Sequence, residues 1–223
     1  MKPNFHLLFS VFILILLSCN QGREKKSSPT DATIDSTIST STPQGKYQLK
    51  SGIITLVSET MGMKQYMTTY FDDYGLKECI ETKGVMNMGT AGIMEIHSLS
   101  FVKDMYYYTI DLISKTGTKT KISSSKNQND INFNNLSEEQ LKEMKLTRQG
   151  TETILNRICE KYGMNDSTLH LKSTYSVWKG FPLKSVIDLN GIKAIISASS
   201  IEENCSIPKE KFEIPADIKI SEL

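Results

Sequence analysis

The sequence predicts a mainly β domain, an antiparallel meander whose single sheet curls. Three observations lead there. Apolar residues recur with a period of two in run after run, turn-forming clusters separate the runs, and one segment alone carries a convincing helix start. Period two is the geometry of a strand, because successive side chains leave opposite faces.

In one such run Tyr106, Tyr108, Ile110 and Leu112 share one face, while Tyr107, Thr109, Asp111 and Ile113 share the other. Before it, Ile93, His97, Leu99 and Phe101 alternate with Met94, Ile96 and Val102. After it come Tyr175–Trp178, Ser185–Leu189 and Ile192–Ile201. Turn signals stand at Asp73-Tyr74-Gly75, Lys83-Gly84, Lys115-Thr116-Gly117, Asn165-Asp166-Ser167 and Asn190-Gly191. The last, flanked by apolar runs, predicts a type I′ hairpin, since both central residues of that turn need positive φ. Ser137 and Gln140 form a capping box ahead of Leu141 and Met144, which starts a short helix. A second short helix within 154–162 competes with a strand, and β-branched Thr153, Ile154 and Ile158 favour the strand. Several strands are apolar on both faces, whereas a domain of this size is expected to hold one core. A sheet curled over a covering helix, with its other face lining a cavity, accounts for that; so does a sheet packed on itself as a sandwich.

Ahead of this domain, Met1, Lys2 and His6 precede an apolar stretch from Leu7 to Leu17, broken only by Ser10. As a helix it would be about 16 Å long, too short for a hydrocarbon core of roughly 30 Å but right for the apolar part of a signal peptide. Leu16-Leu17-Ser18-Cys19 resembles the lipobox of bacterial lipoproteins, in which the cysteine thiol is alkylated with diacylglycerol and cleavage falls just before it. The resemblance implies a signal peptide over 1–18, lipidation at Cys19, and membrane attachment in the bacterial envelope, at the outer membrane, through acyl chains worth about 0.8 kcal/mol per buried methylene. Residues 19–45 are rich in Ser and Thr and poor in large apolar residues, which predicts a disordered tether, and 46–223 form the β domain. Asp35-Ser36-Thr37 and Asp166-Ser167-Thr168 resemble an O-glycosylation sequon.

With 26 basic and 25 acidic residues and no long basic run, the chain lacks the clustered charge that phosphate backbones require, so no nucleic-acid partner is expected. Cys79, Cys159 and Cys205 allow one disulfide in three pairings, or none.

Four stretches carry a family resemblance. They are Tyr70-Phe71-Asp72-Asp73-Tyr74-Gly75 with Lys77-Glu78 and Glu81-Thr82; Gly150-Thr151-Glu152-Thr153-Ile154-Leu155 with Cys159 and Tyr162; Val177-Trp178-Lys179-Gly180-Phe181-Pro182-Leu183-Lys184; and Phe212-Glu213-Ile214-Pro215-Ala216-Asp217. Together they resemble the superfamily of LolA/LolB-like lipoprotein carriers, through its lipid-anchored members. The resemblance implies a half-open, unclosed antiparallel β-barrel with one or two short covering helices. It also implies a concave apolar face that takes an acyl chain or a lipoprotein anchor. The lid-closing arginine of the soluble carrier has no counterpart that Arg148 or Arg157 can be aligned with, so no functional residue is carried over.

From the residues themselves, Met61, Met63, Met67, Met86, Met88 and Met94 form the densest unusual cluster. Thioethers pack cores, adapt to variable apolar ligands and bind Cu(I); packing and cavity lining are the two readings retained, with no metal or other cofactor expected. The expected apolar lining is Met61, Met63, Met67, Met88, Tyr106, Tyr108 and Trp178. G-x-S-x-G, H-E-x-x-H and P-loop patterns do not occur, and His97 and His170 are the only histidines after the tether, so no catalytic constellation is expected. The alternative to a ligand-binding domain is an envelope lipoprotein with a filled core that works through its surface. The sequence leaves the oligomeric state undetermined.

Overall fold

In the computed structural model, residues 45–60, 63–87, 89–122 and 131–223 are described. The signal peptide, Cys19, the tether up to residue 44, Met61 and Met88 lie outside them. Residues 43–122 and 132–223 form one compact unit; of the other, 1–42 with 123–131, only Ile131 is described.

Twelve strands make one sheet. They are β1 (Gly52–Thr60), β2 (Met63–Asp72), β3 (Lys77–Asn87), β4 (Ile93–Lys103), β5 (Tyr106–Asp111), β6 (Thr116–Lys121), β7 (Leu146–Ile154), β8 (Arg157–Asp166), β9 (Leu171–Trp178), β10 (Phe181–Leu189), β11 (Ile192–Glu203) and β12 (Lys219–Glu222). The order is β12-β6-β5-β4-β3-β2-β1-β11-β10-β9-β8-β7. Two meanders, β1–β6 and β7–β11, are joined where β11 pairs antiparallel with β1, and only β12 is parallel to its neighbour β6. The sheet is unclosed, as expected: β7 and β12 are its two free edges. The capping box at Ser137 and Gln140 forms as read from the sequence and starts α1 (Glu138–Glu143), which buries Leu141. No helix among the described residues is long and apolar enough to cross a membrane.

Directly opposed residues of an antiparallel pair share a face, so the register sorts the side chains. On the first face, Ile54 and Leu56 of β1 lie opposite Thr69 and Met67 of β2, and opposite Ile201 and Ala198 of β11. Phe71 of β2 lies opposite Glu78 of β3 on that face. The second face carries the row Tyr70, Cys79, Phe101 and Tyr108 across β2 to β5.

Two core clusters form, the first chiefly on the first face and the second on the second, which corrects the expectation of a single one. The first gathers Tyr47, Leu49, Ile54, Phe71, Phe181, Leu183 and Ala198, with Ile154 and Cys159 from the β7–β8 hairpin. The lead-in segment 45–51 covers it: the Tyr47 ring lies 4.7 Å from Phe71 and 5.1 Å from Phe181. The second core gathers Cys79, Phe101, Tyr108 and Ile110, covered by Phe212, Ile214, Ile218 and Ile220 of the C-terminal segment. A sheet that is apolar on both faces thus stays single-layered because two chain ends cover different halves of it. Cys79, Cys159 and Cys205 are all free thiols.

Asn190 (φ 53°) and Gly191 (φ 82°) form the expected left-handed hairpin turn. Three more two-residue turns have the same backbone sign: Asp104-Met105, Leu155-Asn156 and Lys179-Gly180. The expected turn at Lys83-Gly84 is a correction, because both residues sit inside β3. A Cβ at Gly84 would come 2.8 Å from Gln65 Cγ, so close strand approach, and not chain reversal, favours glycine there. The segment 154–162 is a hairpin, with Leu155 and Asn156 at its tip, and β8 begins at Arg157.

Met105 is exposed and held at φ 64°, a conformation that costs a non-glycine residue about 1 kcal/mol. Met105→Gly, which makes the turn Asp-Gly, is expected to raise the unfolding free energy by about 0.5–1 kcal/mol in urea titrations.

Candidate functional site

The sheet's first face continues beyond its core toward the far ends of β2, β3 and β4. There the register sets Met86 opposite Met94 and Gly84 opposite Ile96, with Met67 opposite Thr82, and Met63 and Ile80 on the same face. Met63, Met67, Ile80 and Ile96 are half-buried, Met86 is buried and Met94 is exposed. None of these six belongs to either core cluster. They form an apolar strip dominated by thioethers, whose unbranched, polarizable side chains adapt to irregular shapes. The same face bears two buried hydroxyls with no hydrogen-bond partner, Thr60 Oγ1 and Ser173 Oγ. They lie in one cross-strand row, Thr60 opposite Ala194, Ala194 opposite Ile187, and Ile187 opposite Ser173.

The structure divides the residues expected to line one site. Met63 and Met67 stand on the first face. Tyr106 and Tyr108 stand on the second, where Tyr108 is buried and stacked on Phe101 at 5.3 Å and Tyr106 carries Lys119 Nζ 4.5 Å from its ring centre. Trp178 ends β9, packed on the first core, with the Arg157 guanidinium 5.0 Å and Lys179 Nζ 4.6 Å from its ring centre. Tyr106 and Tyr108 therefore share no surface with the methionines of β2, whereas Trp178 sits on the first core. Opposite faces could not be told apart from sequence, because alternation separates residues within a strand but does not register one strand against another.

A charged cluster occupies the second face and was missed in the sequence. Glu81 of β3 is buried, and its carboxylate accepts from Lys83 Nζ at 2.8 Å, Lys211 Nζ at 2.9 Å and Tyr70 Oη at 3.1 Å, with His97 Nε2 at 2.8 Å. Lys211 arrives from the C-terminal segment and lies 4.1 Å from the centre of the Tyr70 ring. Burial alone would raise the Glu81 carboxyl, but the hydrogen bonds from Lys83, His97 and Lys211 overcome it and hold the group well below the usual carboxylate range. A carboxyl so held takes no proton near neutrality, which makes it a fixed anion rather than an acid–base group. Reading Lys83-Gly84 as a turn hid the cluster; an uninterrupted β3 would have placed Glu81 and Lys83 on one face, two residues apart. Among the described residues, no group of three or more His, Cys, Asp or Glu side chains could hold a metal ion.

No family model matches the chain, and no curated protein matches it by sequence. Solved structures do resemble it. An uncharacterized conserved protein from Thermus thermophilus superposes with a TM-score of 0.51 at 8% identity, over 78% of this chain and 91% of that one. MucB of Pseudomonas aeruginosa, in its complex with MucA, gives 0.44 at 10% identity, over 81% of this chain and 60% of that one. A domain described as an outer membrane lipoprotein-sorting protein's, from Vibrio parahaemolyticus, gives 0.37 at 8% identity, over 76% and 90%. At these identities the first likeness is one of fold.

A carboxyl whose folded pKa lies below its unfolded value, about 4.3 for glutamate, contributes fully above that value and loses its contribution as pH falls below it. Glu81→Gln is accordingly expected to cost about 2 kcal/mol of stability at pH 7 and to flatten the decline between about pH 5 and 3. Urea unfolding of both proteins across that range checks it; parallel pH profiles would refute the role given to Glu81.

Proposed function

We propose that the chain is a non-catalytic, lipid-anchored protein of the bacterial envelope that binds an apolar ligand, an acyl chain or a lipoprotein anchor, on the first face of its sheet. Its relation to the LolA/LolB-like carriers is part of the same proposal. The observation that carries it is the strip formed by Met63, Met67, Ile80, Met86, Met94 and Ile96, apolar and continuous with the first core yet outside it. An unclosed sheet leaves such a strip without an opposing sheet of its own, and apolar burial would drive binding at about 25 cal/mol per Å². Leu16-Leu17-Ser18-Cys19 supports attachment at Cys19, with residues 19–45 as the tether and 46–223 as the binding domain. Of the aromatics expected in the lining, Trp178 remains within the first core and Tyr106 and Tyr108 face away, so the methionines form the lining in this proposal.

A second reading, surface recognition of a protein partner, is favoured by how completely the first face is filled elsewhere: Ile187, Ala194 and Ile196 are all buried. Lipid binding, and its response to a charge placed in the strip, separates the two readings. Under the first, a fluorescent fatty acid should bind with an affinity that rises about fourfold per added methylene, and Met67→Glu should weaken it at least tenfold. Absence of any lipid on the purified chain in native mass spectrometry, together with no fatty-acid binding, would leave only the second reading. Independently, Cys19→Ser is expected to move the chain from the membrane fraction to the soluble envelope fraction, as followed by immunoblotting; retention in the membrane would refute the anchor.

A further inference from the structure

A groove of 660 Å³ opens on the second face, where β2, β3 and β4 run toward the ends of β2 and β3 that bear Lys64 and Val85. Its floor is apolar and largely solvent-facing: Tyr66 is 48% exposed, Val85 55% and Ile113 52%. Cations stand around that floor. Lys83 lies between Tyr66 and His97 in one cross-strand row, and Lys64 lies opposite Val85 in the next. Directly opposed neighbours are about 5 Å apart and diagonal ones about 7–8 Å, so Lys83 and its diagonal neighbour Lys64 can meet one small ligand.

The balance of charge at Glu81 shows why these cations are not spent. One buried carboxylate needs one cation for neutrality, and Lys211, half-buried against Tyr70, serves that need. Lys83 and His97 contact the same carboxylate as well, Lys83 with a side chain 59% exposed. The Lys83 ammonium has three donors, of which the Glu81 contact uses one. Lys64 holds its ammonium 5.7 Å from the Tyr66 ring centre, over the groove floor. Two acids bound this positive patch: Glu95, opposite Val85 in the Lys64 row, and Glu59, opposite Lys64 on β1. They confine the favourable anion position to the space between Lys83 and Lys64.

We infer that this groove binds a small anionic amphiphile, its carboxylate or phosphate between Lys83 and Lys64 and its short apolar body on Tyr66, Val85 and Ile113. Gly84 and Ile96, which belong to the first face, also reach this groove, but the groups that would hold the ligand, Lys64, Tyr66, Lys83 and Val85, all stand on the second face, so the site can be tested apart from the methionines of the strip. Isothermal titration calorimetry of hexyl phosphate against the full chain tests it, with inorganic phosphate, hexanol and sodium hexanoate as parallel probes. Hexyl phosphate or hexanoate should bind at least tenfold more tightly than inorganic phosphate or hexanol, and whichever headgroup is preferred assigns the anion. Lys64→Gln, on an exposed side chain that makes no contact with Glu81, should weaken that binding several-fold with the thermal unfolding midpoint nearly unchanged, and adding Lys83→Gln should bring the loss to at least tenfold in protein shown by circular dichroism to be folded at the assay temperature. Met67→Glu on the first face should leave it unaltered. Equal affinity for inorganic phosphate, no binding of any probe, or loss of binding in Met67→Glu but not in the double variant would each overturn the inference.

Discussion

The architecture depends on β3, the strand where the buried face changes over. On its first-face side it meets Phe71 and the first core, and on its second-face side Cys79 enters the second. A strand shared by two cores must keep polar residues where one core ends, and burying them requires partners. Both covering segments supply one. From the lead-in segment, Lys46 reaches the Glu78 carboxylate at 3.1 Å while the Tyr47 hydroxyl donates to the same group. From the C-terminal segment, Lys211 reaches Glu81. Glu78 and Glu81, three residues apart and on opposite faces, therefore fix the two covers to the two sides of one strand. Each contact is a charge-assisted hydrogen bond at the edge of an apolar cluster, where geometry matters more than net energy.

That arrangement explains which features were legible beforehand. Within a strand, alternation is local, so the runs around Tyr106–Ile113 and Ile192–Ile201 could be recognised without knowing any partner. The capping box at Ser137 and the Asn190-Gly191 turn are equally local, since each depends on the conformational preferences of two to four neighbouring residues. The turns at Asp104-Met105 and Leu155-Asn156 lack that signal. Met105 and Leu155 have no intrinsic preference for positive φ, so the pairing of β4 with β5 and of β7 with β8 imposes it.

The illegible part was long-range. Tyr108 and Met67 were both reasonable apolar candidates, and only the chain of pairings β2-β3-β4-β5 shows that they leave the sheet in opposite directions. A one-residue slip anywhere in that chain would exchange their faces. The same holds for the two cores. Nothing in residues 205–218 taken alone says that Phe212 and Ile214 cover β3 to β5, because a short irregular segment has no periodicity to read. Lys211 was invisible for the same reason: its partner Glu81 is 130 residues away.

The two edges of the unclosed sheet bear on how it can act. Strand addition at an exposed edge is a common mode of protein recognition, and it needs a long, regular row of unpaired backbone groups. Neither edge offers one. β12 is four residues long. β7 is interrupted by a bulge between Arg148 and Thr151, where Gly150 takes φ 88°, and Arg148 beside that bulge is paired with Glu138 of α1. Bulges and short strands are the devices that keep sheets from extending edge to edge. With both edges blunted, the faces are the longer accessible surfaces of the sheet, the first with its methionine strip and the second with its groove. An open sheet is thus kept from extending edge to edge, and its two faces differ in chemistry, thioethers on the first and a lysine over an exposed aromatic ring on the second.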